Sequence, residues 1–306
     1  MKLTILGFNS AIPTINSHPS AQLLDIQENL FLIDCGEGTQ VQLRRAKAKF
    51  SKINHIFISH LHGDHVFGLI GLISTFLLLG RENILNIYGP KGIKMFIENQ
   101  LSLTESYQIF KLNFIELSST DSQLIYEDNK LTVHTIPLDH RVYTNGFIFK
   151  EKAKPKRLNI ESINQYPQIE VCDYHNLKLG KDWVSEDGKT IISNEKLTYE
   201  AKHSYSYAYC SDTSYKPDII DLIKDVDVLY HESTFLNDLE DLARKTKHST
   251  ALEAAKIAKE AKVKHLILGH FSNRYSDFSV FKEEAETIFA STLLPSELET
   301  IDFEKM

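Results

Sequence analysis

The stretch His60-Leu61-His62-Gly63-Asp64-His65 places four residues of metal-ligand type, and the room-giving Gly63, within six positions. His60 and His62 stand two apart, so in an extended segment both face the same side and can share one metal. Gly63 gives the backbone room to turn sharply. Beyond it, Asp64 and His65 reach toward a second metal. Imidazole and carboxylate donors suit zinc, ahead of manganese or iron. Histidines this dense at a strand end have no packing purpose. Two dications close together lower the pKa of a shared water and stabilise charge on the attacking and leaving oxygens. A carboxylate such as Asp64 can orient that water and take its proton. The chemistry on offer is hydrolysis.

Such a loop needs elements that hold it. The apolar run Ile56-Phe57-Ile58 precedes it and another from Val66 to Leu79 follows, which reads as buried strand, ligand loop and helix. Further residues of ligand type recur at strand ends. Leu131 to Ile136 reads as a strand leading to Asp139-His140. Tyr205 to Tyr209 leads to Ser211-Asp212-Thr213, and Val263 to Leu268 delivers Gly269-His270. Alone, His140 and His270 could equally be satisfied histidines, and Asp212 a turn residue. A second metal needs partners, and these are the best candidates. Asp34, closing a strand from Asn29, reads as a carboxylate that orients the ligand loop. The glycine-rich turn after it has neither P-loop nor dinucleotide spacing. His18, His55, His134, His175, His203 and His265 read as structural or solvated.

Around this frame, Lys2 to Gly7, Ile84 to Tyr88, Leu112 to Leu117 and Val226 to His231 read as strands. Gly89-Pro90 reads as a turn. Val41 to Lys49 reads as a basic helix and Ile93 to Glu98 as a second helix. Thr250 and Glu253 form a capping box that opens a helix from Ala251 to Ala261. Strands interleaved with helices in this way fit an α/β chain with two layers of sheet flanked by helices.

The 306 residues can hold one large domain or two small ones, with 42% apolar and 25% charged content, as in ordinary globular proteins. Cys35, Cys172 and Cys210 are widely spaced and odd in number, which points to free thiols in a reducing compartment. With no signal-peptide layout and no run long enough to span a bilayer, the expected location is cytoplasmic, with no membrane partner. A net charge of −7 argues against nucleic acid if taken alone. The distribution qualifies it. Arg44, Arg45, Lys47, Lys49 and Lys52 form one basic run. Lys150, Lys152, Lys154, Lys156 and Arg157 form another, with only Glu151 inside it. From about residue 150 to 200 apolar periodicity weakens, and Asp187-Gly188 makes a hairpin turn between Trp183-Val184 and Ile191-Ile192. This segment reads as an inserted, protruding arm.

The H-x-H-x-D-H pattern at His60 to His65 resembles the signature of the metallo-β-lactamase superfamily, and the strand-end ligands extend the likeness over nearly the whole chain. A second set of motifs narrows it. His231-Glu232-Ser233-Thr234-Phe235, His248-Ser249-Thr250 and Gly269-His270-Phe271-Ser272-Asn273-Arg274-Tyr275 resemble ribonuclease Z, the tRNA 3′ endonuclease. Asp34-Cys35-Gly36-Glu37-Gly38-Thr39-Gln40 and Tyr88-Gly89-Pro90-Lys91-Gly92 match that family too. The resemblance implies an αββα metallo-β-lactamase sandwich over residues 1–306, with a tRNA-binding arm inserted at about 150–200. It implies two zinc ions per subunit, one held by His60, His62 and His140, the other by Asp64, His65 and His270, with Asp212 bridging. Glu232 would orient His248, and His248 would protonate the departing ribose 3′ oxygen or stabilise the transferring phosphate. The implied substrate is precursor tRNA, not DNA, cut to leave a 3′ hydroxyl on the tRNA and a 5′ phosphate on the trailer by a homodimer. The arm departs from the family in lacking its usual Gly-Pro motif, with Tyr174-His175-Asn176-Leu177 near the expected place. The rival readings are a small-substrate phosphodiesterase or other hydrolase of the same superfamily, and a non-catalytic RNA-binding protein on a hydrolase scaffold.

Overall fold

In the strand Asn29–Ile33, Phe31 and Ile33 join one apolar cluster while Leu30 and Leu32 join another. The period-2 alternation of a strand sends neighbours to opposite faces, so this strand is buried on both sides. The computed structural model describes residues 1–12, 14–15, 17–106 and 110–306. They form two compact units, Met1–Phe149 with Tyr205–Met306, and Lys150–Ser204.

The larger unit holds two seven-stranded sheets. The first runs Thr300–Asp302, Lys2–Gly7, Ala21–Ile26, Asn29–Ile33, Ile53–Phe57, Leu85–Pro90, Leu112–Leu117. The second runs Thr292–Leu293, His265–Gly269, Val228–Glu232, Ser206–Cys210, Asn145–Glu151, Leu131–Pro137, Leu124–Glu127. Phe31, Phe57 and Tyr88 of the first meet Val133, Phe149 and Tyr207 of the second in one core, where the Phe57 and Tyr88 rings stack at 4.5 Å. The other face of the first sheet is covered by the helices Gly68–Leu78 and Ile93–Leu103 through Leu69, Leu72, Ile73, Ile93 and Ile97. On the second sheet, Ala251–Glu260 contributes Ala254, Ala255 and Ala258, and Ser279–Glu286 contributes Phe281. Thr250 and Glu253 complete the capping box in both directions. This is the helix-flanked double sheet of the expected α/β sandwich.

Parallel pairing positions the site. Ser206–Cys210, Val228–Glu232 and His265–Gly269 run parallel, with Cys210 opposite His231 and Glu232 opposite Gly269. Asp212, Glu232 and His270 therefore emerge at the same carboxyl edge, where open α/β sheets place their ligands. In the first sheet, Asn29–Ile33 and Ile53–Phe57 are also parallel, so Asp34 and the His60 loop leave one edge together.

Several boundaries differ from the sequence reading. Gly89 and Pro90 continue the strand, opposite Glu116 and Leu117, and the chain turns afterwards at Gly92, whose φ is 104°. The basic helix is Thr39–Arg45; it stops because Lys47 turns left-handed at φ 53°. The second predicted helix runs on to Leu103. Gly63 does not supply a left-handed turn. It opens the helix Gly63–Val66, and a Cβ there would lie 2.4 Å from the Phe67 ring. A Cβ on Gly36 would come within 2.5 Å of the Asp64 carbonyl, so these two loops pack backbone to backbone.

The smaller unit has its own core, which the weak periodicity did not reveal. Ile163, Ile169, Leu177, Trp183, Ile192 and Leu197 are buried together. Trp183 pairs with Ile192 across the predicted hairpin, and its indole Nε1 donates to Asp173 Oδ2 at 2.9 Å. Its basic run is partly matched from within the unit. Lys154 Nζ lies 2.7 Å from Glu151 Oε2, Lys156 Nζ lies 3.1 Å from Glu200 Oε1, and Arg157 Nε donates to the Glu200 carbonyl.

Candidate metal centre

His60, His62, His140 and Asp212 each bring one donor atom to within 4.8 Å of the others; Asp64, His65, Asp212 and His270 do the same. Asp212 belongs to both groups and divides its oxygens between them. Oδ2 lies 3.6 Å from His60 Nε2 and 3.7 Å from His140 Nε2. Oδ1 lies 3.4 Å from His65 Nε2 and 3.2 Å from His270 Nε2. His62 approaches through its other nitrogen, with Nδ1 3.0 Å from His60 Nε2 and 3.3 Å from His140 Nε2. Asp64 Oδ2 is 3.4 Å from His65 Nε2 and 3.3 Å from His270 Nε2. The structure thus brings together all seven residues expected from the sequence to hold metal.

Behind the inward-facing nitrogens stands a row of hydrogen-bond partners. His65 Nδ1 donates to Asp34 Oδ2 at 2.8 Å. Asp34 also accepts from the Ser59 amide at 2.7 Å, the Ser59 hydroxyl at 2.9 Å and the Tyr209 hydroxyl at 2.6 Å. With its proton on Asp34, Ser59 Oγ can accept from His60 Nδ1 at 3.0 Å. His270 Nδ1 lies 3.0 Å from Thr234 Oγ1, whose proton goes to Glu232 Oε2 at 2.8 Å. Bonds of this kind fix the tautomer and leave Nε2 with its lone pair, the ligand form of imidazole. The role read for Asp34 from its strand-end position matches this geometry. Asp34 reaches it in a left-handed conformation, φ 54°, one that aspartate tolerates better than most residues.

The centre's electrostatics call for cations. His65 Nε2 is buried without a hydrogen-bond partner. Burial disfavours charge on His65, yet Asp64, Asp212 and Asp34 outweigh it and push its pKa well above the ordinary value. Burial would raise the Asp64 and Asp212 carboxyls, but the imidazoles around them hold both well down. Burial lowers His60, His62 and His140, which favours their neutral forms. Ionised carboxylates, three imidazoles that favour the neutral form, and a buried His65 Nε2 whose proton a dication would replace fit a pair of metal ions.

Glu232, His248 and His270 form a third group of donors. Here hydrogen bonds already join two members. Glu232 Oε1 lies 2.9 Å from His248 Nδ1, and the fully buried carboxylate also accepts the Thr213 and Thr234 amides. Burial opposes a charged His248, but Glu232 carries its pKa up to about 9. The His248 ring sits over the centre, 5.0 Å from His140 and stacked 5.4 Å from His270. Of the histidines set aside, His18 pairs with Glu297, His55 packs against Phe31 and Tyr126, and His265 meets Ser291. Sequence reading gave no role to Ser59, Thr234 or Lys247, which stand beside the ligand motifs without being ligand types themselves.

Comparison with known proteins decides the family. A protein of Bacteroides thetaiotaomicron named ribonuclease Z is 46% identical over 296 residues, covering 97% of this chain and 93% of its own. The chain belongs to the ribonuclease Z family. Within solved structures, the human short-form tRNase Z aligns over 99% of both chains, with 28% identity and a TM-score of 0.72. YhfI of Bacillus subtilis, a metallo-β-lactamase fold protein, shares the fold at 20% identity and a TM-score of 0.69 over 98% of both chains. A family model described as the anti-Pycsar protein Apyc1 matches residues 1–154. That match holds the His60 loop and His140 but stops short of Asp212, Glu232, His248 and His270. The ribonuclease Z likeness spans them all. Among the described residues no helix is long and apolar enough to cross a membrane.

Proposed function

We propose that this protein is a zinc-dependent endoribonuclease that removes the 3′ trailer from precursor tRNA. The observation that carries the reading is the division of the Asp212 oxygens between two donor groups, with the Glu232–His248 pair over them, in a chain of this family. His60, His62 and His140 would hold one zinc and Asp64, His65 and His270 the other, with Asp212 shared. When bound, the two ions supply positive charge for the phosphoryl oxygens and an acidic water at neutral pH. Asp64 orients the attacking water and takes its proton. His248, held by Glu232 through Nδ1, gives a proton from Nε2 to the departing ribose 3′ oxygen. The products are a 3′ hydroxyl on the tRNA and a 5′ phosphate on the trailer.

Residues 150–204 serve in this reading as the tRNA-binding arm of a single catalytic domain, and two copies of the chain work as a homodimer. Lysine and arginine on phosphates provide affinity without sequence preference. Trp183 is buried in the arm's core and so is assigned no contact with the tRNA. Three free thiols, Cys35, Cys172 and Cys210, suit work in the cytoplasm. The test compares cleavage of a 3′-extended precursor tRNA with that of a generic phosphodiester. Strong preference for the tRNA supports the proposal. Equal or better turnover of the small ester favours the small-substrate phosphodiesterase.

A further inference from the structure

The helix Glu240–Thr246 ends at Lys247, which is left-handed at φ 62° and ψ 49°. This conformation is uncommon for a residue with a side chain. Three consequences meet here. The Lys247 carbonyl lies 2.8 Å from His140 Nδ1. A carbonyl can only accept, so His140 carries its proton on Nδ1 and turns a bare Nε2 toward His62 and Asp212. The Lys247 ammonium bridges both oxygens of Asp139, the residue before His140, at 2.8 and 3.1 Å. Asp139 is itself anchored, its amide taken by Thr213 Oγ1 and its carbonyl by the Ser214 amide. The reversal at Lys247 also sends the next residue, His248, back against Glu232, with its amide on the Ala243 carbonyl at 2.9 Å.

We propose that Lys247 is a positioning residue: its left-handed backbone carbonyl sets the tautomer and aim of His140 and, through the same turn, places His248 over the centre. The proposal rests on the metal-binding reading above. It assigns the work to the backbone conformation and not to the ammonium's bridge to Asp139. Residues that accept a left-handed backbone keep the carbonyl in place, whereas a β-branched residue strains that conformation and swings it away. Glycine and valine at this position both remove the ammonium, so they separate conformation from charge.

The experiment loads metal-free protein with Co²⁺ and measures affinity by chelator competition and coordination by the visible spectrum, with thermal melts to check folding. Lys247→Gly and Lys247→Asn keep affinity and spectrum close to those of the natural protein. Lys247→Val weakens one cobalt by about tenfold to a hundredfold, the usual effect of losing the partner behind a ligating histidine, and alters the spectrum. If all three lose affinity alike, the ammonium and not the turn is responsible, and the proposal falls. Unchanged affinity in Lys247→Val also overturns it. A natural protein that binds no cobalt removes the metal-binding reading and this inference together, which distinguishes the two failures. Should Lys247→Val not fold, ¹⁵N spectra of the zinc-loaded natural protein decide. They place the His140 proton on Nδ1 and the metal-shifted resonance on Nε2; the reverse assignment contradicts the proposal.

Discussion

Glu232 and His248 face each other across 2.9 Å, carboxylate to Nδ1, with the glutamate fully buried. Nδ1 is thereby occupied and Nε2 is the nitrogen available to substrate. His248→Ala therefore keeps its metals while the cleavage rate drops roughly 10²–10⁴-fold, the range for a general acid. Single-turnover cleavage of precursor tRNA, with metal analysis of the same sample, measures both. Near-normal turnover would return His248 to the role of a residue before a helix cap.

Among the described residues, Asp212 alone belongs to both donor groups of the centre. Replacing it with alanine removes the negative charge that offsets two dications side by side. Asp212→Ala loses at least one metal and its activity. Elemental analysis finding two full equivalents in the folded variant would refute the shared role.

Asp34 tests the layer behind the ligands. It is fully buried and accepts from Ser59, Tyr209 and His65. Asp34→Ala leaves those donors without an acceptor and destabilises the protein by about 3–5 kcal/mol, as breaking a buried charged pair does. Urea unfolding of the metal-free protein provides the number. A change below about 1 kcal/mol, the worth of one ordinary hydrogen bond, would mean that the network adds nothing beyond a single contact.

What was legible in the sequence follows a physical pattern. The candidate ligands at His60 to His65, His140, Asp212 and His270 could be placed because each closes an apolar strand whose period is plain. The strand Asn145–Glu151 was hidden because it opens on Asn145-Gly146, a pair that reads as a turn. Pro90 similarly suggested a turn, but it lies past the last pair with Ile53–Phe57 and is paired on one side only, an edge position where a missing amide is tolerated. The core of residues 150–204 escaped notice because Ile163, Leu177, Trp183 and Ile192 come from separate short elements with no common period. The bond from His140 to Lys247 joins positions 107 apart, and no local pattern reports it.

The second unit carries a prediction of its own. The candidate ligands all lie outside residues 150–204, so a protein with this segment replaced by a short linker is expected to bind two metals and hydrolyse a small phosphodiester. It loses affinity for precursor tRNA. In the intact protein that affinity falls linearly with salt on a log–log plot. If the folded, two-metal deletion variant processes precursor tRNA unchanged, the helix Thr39–Arg45 with Lys47 and Lys49 becomes the leading RNA contact.

The most direct test of the account is to analyse the ends produced from a 3′-extended precursor tRNA by the purified protein, with zinc and after chelation. The account predicts one cut near the 3′ end of the acceptor stem, a 3′ hydroxyl on the tRNA, a 5′ phosphate on the trailer, and no product once metal is removed. A cyclic or 3′ phosphate on the tRNA, or undiminished cleavage without metal, would contradict it.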